Sequence, residues 1–404
     1  AAGARRPSLR GGLQSQLRAM LRRTPVAWLQ LTNNPIKLAI GVAGVSFSNL
    51  LMFFQLGLLD AMYNSQRKPI FRLDADLVMV SKRYSNLGAM QSFQRSRLYQ
   101  VLGVEGVADV SPLRLGRATW ITPSTRKSFD VYVYGVNLAQ PSLNFPEVQT
   151  ENSRLRVMGN VLFDRNSKHQ YGDVLGELAR NGVFPVEING LRTRVIGSFA
   201  MGSTFAADAN LISGEKTFLN LFPRVDSRRI ELGLIRLKPG ASPQRVLSEM
   251  RQVLGDRDVM VVTRDGLADL ELTYWKRNSS VGFIFSLGVL VGFIVGSIIV
   301  YQILYGDVMN SLPQYATLKA MGYRDPFVIA IVIQQSALLA VIGFMPGLLL
   351  SFGLYQLLAT VTKLSVYITL SRSLQVLLLT FVMCVGSGTL ATRKLTQLDP
   401  ADIF

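Results

Sequence analysis

The sequence predicts a membrane α-helical protein: four transmembrane helices, with a large α+β extracytoplasmic domain inserted between helices 1 and 2. Three observations carry this. Four apolar segments each supply the ~20 residues an α-helix needs to cross a bilayer. More than 200 residues of mixed character separate the first segment from the other three. Arginine and lysine gather beside the same ends of the apolar segments, as the positive-inside bias requires.

In chain order, residues 1–35 read as a cytoplasmic N-terminus and an interfacial helix. Arg5, Arg6, Arg10, Arg18, Arg22 and Arg23 make its start strongly basic, and the first ten residues or so are expected to be disordered. Val26, Trp28, Leu29 and Leu31 then suit a short helix at the headgroup boundary, where Trp28 belongs. Residues 36–59 (IKLAIGVAGVSFSNLLMFFQLGLL) form span 1, with Lys37 placed to snorkel at its cytoplasmic end. This run starts too late and is too long for an ordinary cleaved signal peptide. Spans 2 to 4, in 278–391, fall at about Val281–Tyr305, Phe327–Thr360 and Leu374–Ala391. The third is longer than a bilayer needs and is expected to tilt, or to break near Pro346. The N-terminal arginines, Lys319 with Arg324, and Arg393 with Lys394 place both termini and the loop between spans 2 and 3 in the cytoplasm. The tail is 392–404.

Small residues recur every fourth position in two spans: Gly288, Gly292 and Gly296 in span 2, and Gly343, Gly347 and Ser351 in span 3. Such ladders let helices approach closely, within one chain or between two. No acidic residue lies well inside a span, which argues against a proton relay or ion-coupled carrier.

The insert, 60–277, contains two segments of the same design. Asp74–Val80 reads as a strand, Met90–Leu102 as a helix and Val107–Val110 as a strand. Later, Ile230–Leu237, Ser242–Leu254 and Val259–Val262 repeat that order. Both helices end in the same tetrapeptide, Gln100-Val101-Leu102-Gly103 and Gln252-Val253-Leu254-Gly255. Two related outer segments, 60–128 and 223–277, would therefore flank a β-rich middle lobe, 129–222. In that lobe Phe129, Val131 and Val133 alternate with Asp130, Tyr132 and Tyr134, and Asn189-Gly190 marks a hairpin within Phe184–Phe199. From Arg264 to Tyr305 only Gly266 interrupts the helical pattern, so the insert's last helix is expected to run into span 2 as one rod.

Charge narrows the function. The net charge of +17 would suit a nucleic-acid binder. However, the insert carries 30 basic and 22 acidic residues, and the remaining 13 basic against 4 acidic residues sit mostly beside the spans. That distribution is membrane anchoring, so no nucleic-acid partner is expected and membrane lipids are. The single cysteine, Cys384, excludes an intrachain disulfide, and with His169 as the sole histidine a Cys/His metal site is excluded too. Gly214-Glu215-Lys216-Thr217 resembles the end of a P-loop but lacks the Gly-Lys adjacency and the earlier glycine. The acidic pairs Asp74/Asp76 and Asp256/Asp258 flank strands and read as solvated turns. No catalytic, metal or cofactor residue is expected in this chain.

One polar loop stands out between spans 2 and 3: residues 306–325, GDVMNSLPQYATLKAMGYRD. Leu312–Met321 can form a helix of about three turns, with Pro313 in the first turn, Lys319 near the C-terminal end and Gly322 as the stop. Gln314, Leu318 and Met321 share one stripe, and Leu312, Tyr315 and Ala316 share its neighbour. A helix with exposed apolar residues here suits contact with a cytoplasmic motor; the alternative is a loop helix that packs only on its own bundle.

Four spans, a large insert after the first, LPQYATLKAMGY and the terminal LTQLDPADIF resemble permeases of the MacB/FtsX/LolC superfamily, the membrane subunits of type VII ABC transporters. LKAMG matches the family's cytoplasmic coupling helix, and LDPADIF its C-terminal Pro-Ala segment. Where the family often starts this helix Arg-Glu-Ile, Pro313, Gln314 and Tyr315 stand here. Lacking an attached nucleotide domain, and with PVAWLQLTNNPIKLAIGVAGVSFSNLLMFFQLGLLDAM at its start, the chain looks most like the DevC type of cyanobacteria. The resemblance implies a homodimer in the bacterial inner membrane, a separate DevA-like ATPase that carries the ATP and Mg, a DevB-like membrane-fusion adaptor and a TolC-like outer-membrane duct. It assigns Leu312, Gln314, Tyr315, Leu318, Lys319, Met321 and Gly322 to ATPase coupling. It implies export by mechanotransmission, with a glycolipid or other amphiphile as cargo. A lipoprotein-releasing permease like LolC, or a non-transporting regulator of a periplasmic hydrolase like FtsX, are the alternatives.

Overall fold

The computed structural model describes residues 26–204, 208–255, 258–323, 325–362 and 366–396. The N-terminal arginines, Asp256, Arg324 and the LDPADIF motif lie outside the described residues. The chain divides into two units: 1–55 with 287–353 and 368–404, and 56–286 with 354–367.

Among the described residues four helices are long and apolar enough to cross a membrane. Span 1 is Pro35–Phe71, span 2 Ser280–Asn310, span 3 Asp325–Thr362 and span 4 Leu370–Thr396. Inside the first unit they share a core of Val45, Val300, Leu304, Leu339, Ala340, Met383 and Cys384, all buried. Span 3 passes Pro346 without a break. The proline removes the donor that residue 342's carbonyl would normally receive, and Ser46 Oγ donates at 2.9 Å to the adjacent Gly343 carbonyl.

The expected rod from the insert into span 2 is interrupted. The helix Arg264–Asn278 ends at Ser279, which is extended at φ −103 and ψ 128. Ser279 Oγ accepts from the Val281 amide at 3.2 Å and so acts as an N-cap for span 2. The run Asn278-Ser279-Ser280 offers three short polar side chains that compete with helical hydrogen bonds. The uninterrupted helix is span 1: its 37 residues extend twelve beyond Leu59, about 55 Å in all.

The strands are β1 (Leu77–Ser81), β2 (Phe93–Gln94), β3 (Val107–Ile121), β4 (Ser128–Val136), β5 (Asn160–Asp164), β6 (Phe184–Ile188), β7 (Leu191–Phe199), β8 (Asn210–Gly214), β9 (Arg229–Ile230), β10 (Leu232–Leu237) and β11 (Val259–Thr263). β2 pairs with β9; the other nine form one sheet in the order β11-β1-β10-β3-β4-β8-β5-β7-β6. At one end the repeated segments interleave as split β-α-β units, β1–helix–β3 and β10–helix–β11. Their helices, Arg95–Gln100 and Pro243–Leu254, cover one face through Leu98, Val246, Met250 and Leu254. β3 runs past the expected end at Val110 and through Pro112, which sits opposite Gly233 of β10. Its far end also pairs with β6, Trp120 opposite Ile188. The middle strands β3-β4-β8-β5-β7-β6 thus close into a ring. Trp120, Phe163, Tyr171 and Phe184 pack inside it, with ring centroids 5.3 to 6.1 Å from Trp120. The β6–β7 turn is the Asn189-Gly190 hairpin, with φ 50 and 79, as a type I′ turn requires.

Glu271, fully buried on the Arg264–Asn278 helix, accepts from Tyr84 Oη at 2.5 Å, the Leu87 amide at 2.9 Å and Trp275 Nε1 at 2.8 Å. Burial raises its carboxyl pKa above the usual value, as it does for Glu231. The folded state therefore holds a proton more tightly than the unfolded chain does. The contribution of these two carboxyls to stability is fully present below the ordinary glutamate pKa and is lost as pH rises through the raised one. Glu271→Ala removes the buried acceptor shared by Tyr84, the Leu87 amide and Trp275 and is expected to cost about 3 kcal/mol, read as a lowered Tm of the purified protein. Glu271→Gln is expected to flatten the pH dependence of Tm across that pH range. A pH profile identical to wild type would contradict this account.

Candidate functional site

The loop helix spans Leu312–Ala320. Its start is set by the Ser311 turn: the Ser311 carbonyl accepts from the Tyr315 amide at 3.0 Å. Thr317 Oγ1 donates at 2.9 Å to the Pro313 carbonyl, which lies in the first turn. The end is fixed by Gly322 at φ +91, and the Tyr323 amide reaches back to the Leu318 carbonyl at 3.1 Å. This is a Schellman closure, which needs the left-handed conformation that glycine adopts without strain. Tyr323 then packs at a tilt against Phe327 of span 3, centroids 4.8 Å apart.

The two stripes of this helix face different surroundings. Tyr315 is 2% exposed and Ala316 is 5% exposed. Tyr315 packs with Val308 of span 2 and Val332 of span 3, and Leu312 and Leu318 cover that cluster partly. The phenol donates to Gln30 Oε1 at 3.4 Å, and Gln335 Nε2 donates to the same oxygen at 3.0 Å. Gln30 belongs to the interfacial helix, Val26–Asn33, so three elements meet at one amide. Burial pushes the Tyr315 pKa up to about 12, and the phenol stays a donor at physiological pH. On the other side Gln314, Thr317 and Met321 are exposed in one line, Met321 at 64%, with Pro313, Gly322 and Tyr323 beside them. The side chain of Lys319 lies outside the described residues. Of the seven residues assigned to coupling, Tyr315 is therefore inside the bundle, Leu312 and Leu318 are half-buried, and Gln314, Met321 and Gly322 are at the surface.

The small-residue ladders of spans 2 and 3 both face span 1 of the same chain. A Cβ on Gly288 would lie 2.4 Å from Gln55, one on Gly292 3.4 Å from Leu51, and one on Gly296 2.5 Å from Ser48. On span 3, a Cβ on Gly343 would lie 2.6 Å from Val45 and one on Gly347 2.8 Å from Asn49. Ser351 is buried and bonds the Gly347 carbonyl at 2.7 Å. Span 4 adds a buried polar tie, Thr380 Oγ1 to Asn49 Oδ1.

Two features escaped the sequence reading. Lys37 does more than snorkel: its ammonium pairs with Asp307 at 3.3 Å, near the ends of spans 1 and 2. The Gln30 clamp joins residues about 300 positions apart in the chain and has no sequence signature. The Gly214–Thr217 stretch that mimics a P-loop end opens a helix, where Glu215 Oε1 accepts from buried Arg114 at 3.0 Å and from Arg95 at 2.9 Å. Asp76 accepts from the Leu237 amide at 2.8 Å and so ties two strands.

Residues 283–400 match the family described as FtsX-like permease C-terminal. Among curated proteins, the chain is 22% identical over 253 residues to the macrolide export ATP-binding/permease protein MacB of Acinetobacter baylyi, covering 60% of this chain and 36% of that protein. It is 25% identical over 259 residues to an uncharacterized ABC transporter permease of Methanocaldococcus jannaschii, covering 60% of this chain and 58% of that one. The matches therefore span less than two thirds of either relative. Among solved structures, the periplasmic region of MacB from Actinobacillus actinomycetemcomitans aligns with a TM-score of 0.34 at 16% identity, over 50% of this chain and 94% of that one. The extracellular domain of the noncanonic ABC-type transporter YknZ from Gram-positive bacteria aligns at 0.32 and 13% identity, over 47% and 99%.

Proposed function

We propose that this chain is a permease of the MacB/FtsX/LolC type, as its likeness to the FtsX-like permease family and to MacB supports, and that it is the membrane subunit of a tripartite exporter driven from the cytoplasm by an ATPase. The observation that carries the reading is the loop helix: one stripe is clamped into the bundle through Tyr315, and the opposite stripe of Gln314, Thr317 and Met321 is free to receive a partner. Force applied to that stripe would pass through Gln30 and Val332 into the interfacial helix and span 3. Both ladders pack on span 1, whose helix runs from Pro35 to Phe71. In this scheme ATP-driven closure of a DevA-like motor moves the domains of a permease homodimer. Those domains squeeze an amphiphile such as a glycolipid through a DevB-like adaptor and a TolC-like duct, and no substrate path through the spans is needed. Both termini and the loop helix lie in the cytoplasm of the inner-membrane protein.

One purification tests this. Permease carrying Met321→Cys or Arg224→Cys on a Cys384→Ser background is labelled in intact cells from outside, then isolated from mildly cross-linked membranes. Arg224→Cys should label and Met321→Cys should not, and an ATPase and an adaptor should co-purify with two permease copies. Outside labelling of Met321→Cys would refute the topology. Recovery of a lipoprotein carrier would favour the LolC-like reading, and a hydrolase activator the FtsX-like one.

A further inference from the structure

Spans 2 and 4 touch through small residues and gape beside them. Ser387 Oγ donates at 2.8 Å to the Ser297 carbonyl, and Ser297, Ser387 and Ala391 make a shallow floor. On either side Ile294, Ile298 and Leu390 stand about half exposed. The result is an open groove of 680 Å³, within the range typical of ligand sites. Its length matters. From Ile294 to Tyr305 the helix rises about 16 Å, close to half of a ~30 Å hydrocarbon core.

The walls of the groove are apolar, its two floor serines donate to backbone carbonyls of span 2, and its larger polar side chains gather at one end. There Tyr301 and Tyr305 stack one turn apart, centroids 5.7 Å apart, and Arg393 lines the same end from span 4. Arg393 is exposed, near the end of its helix, and Tyr301 is 37% exposed. Apolar walls one leaflet long, ending in a guanidinium and two phenols, match the order of groups in an anionic phospholipid: acyl chain, then phosphate. Basic pockets between transmembrane helices recognise such headgroups, and arginine suits a phosphate through its fork of donors.

We propose that the groove between spans 2 and 4 is a binding site for one anionic phospholipid, with an acyl chain along Ile294, Ile298 and Leu390 and the phosphate at Arg393 and the two tyrosines. Assigning it to the cytoplasmic leaflet rests on the topology proposed above. The binding does not, and it can fail while ATPase recruitment stands. A second copy of the chain is the competing occupant. The charge of Arg393 at one end favours the lipid, since a paired copy would bring its own Arg393 or bury this one.

The test uses the full-length permease in detergent, titrated with an equimolar mixture of phosphatidylglycerol and phosphatidylcholine and read by native mass spectrometry. Wild type should retain phosphatidylglycerol about fivefold over phosphatidylcholine, the preference that one basic residue near a headgroup supplies. Arg393→Gln should erase that preference and Arg393→Lys should keep most of it. Ile298→Trp should lower retention of both lipids by filling the groove from its exposed wall. Arg277→Gln, just before span 2 begins, should change nothing. Inorganic phosphate should not displace the lipid. Equal retention of the two lipids by wild type overturns the proposal. So does an equal effect of Arg277→Gln, or displacement by phosphate alone. Efficient disulfide cross-linking between two copies carrying Ile298→Cys, on the Cys384→Ser background, would assign the groove to a dimer seam instead.

Discussion

Gly347→Leu is expected to abolish recovery of folded permease from membranes, whereas Gly386→Leu leaves it near wild type. The two positions sit in long apolar helices and look alike by composition. They differ in what a side chain would meet. At Gly347 even a Cβ would lie 2.8 Å from Asn49 Cβ, 3.0 Å from the Ser46 carbonyl and 3.2 Å from the Ser46 Cα. Two of these three are backbone atoms of span 1, so relief requires moving that helix. Moving it would also break the Ser46–Gly343 bond and the Asn49–Thr380 tie. Overpacking by a few methylenes costs typically 1–3 kcal/mol in a core that can adjust; here about 3 kcal/mol or more is expected, because the obstruction is backbone. At Gly386 nothing lies within 4 Å, and a leucine would simply face outward. Gly347→Ala should fall between. The measurement is the monodisperse fraction after detergent extraction. Equal yields for Gly347→Leu and Gly386→Leu would show that the ladder on span 3 does not set the approach of span 1.

The contrast between these glycines shows how far the sequence could be read. Spans, the hairpin at Asn189-Gly190 and the repeated β-α-β order rest on local chemistry: apolar length, left-handed turn residues and helical spacing. Each is visible within about thirty residues. The closing of the middle strands into a ring depends on Trp120 meeting Ile188, a pairing between distant strands, and no local pattern announces it. Pro112 concealed the full length of β3, because proline inside a central strand normally argues against one. Its neighbour across the ladder, Gly233, has no side chain to crowd the ring. The break at Ser279 was legible in principle: Asn278-Ser279-Ser280 is a capping run, although neither glycine nor proline falls within it. For the loop helix, periodicity put Leu318 on the stripe of Gln314 and Met321, whereas Leu318 packs partly on the Tyr315 cluster and Thr317 takes its place on the exposed line. The inward face is set by Gln30 and Val332, from elements far apart in the chain.

Met321→Asp is expected to lose ATPase recruitment while the permease folds normally. Met321 is 64% exposed and lies in line with Gln314 and Thr317, so an aspartate there disturbs nothing inside the bundle. If the motor covers this stripe, burying an unpaired carboxylate against it costs at least a few kcal/mol, a loss of about 100-fold or more in affinity. Tyr315→Ala should behave in the opposite way. Removing the phenol empties the space between Val308 and Val332 and frees Gln30 from one of its two donors, which lowers folded yield whether or not a motor binds. Leu318→Asp is a poorer probe, because Leu318 packs partly on the same cluster and would confound folding with docking. Gly322→Pro fails for a backbone reason: φ +91 is closed to proline, so the Schellman turn must open. The experiment compares pull-down of the ATPase, and its stimulated ATP hydrolysis, at matched amounts of folded permease. Loss with Met321→Asp and Thr317→Asp, together with retained binding by whatever Tyr315→Ala protein folds, places the docking surface on the outward stripe. Wild-type recruitment and stimulation by both aspartate variants would mean that the motor grips the permease elsewhere, and that this helix only packs on its own bundle.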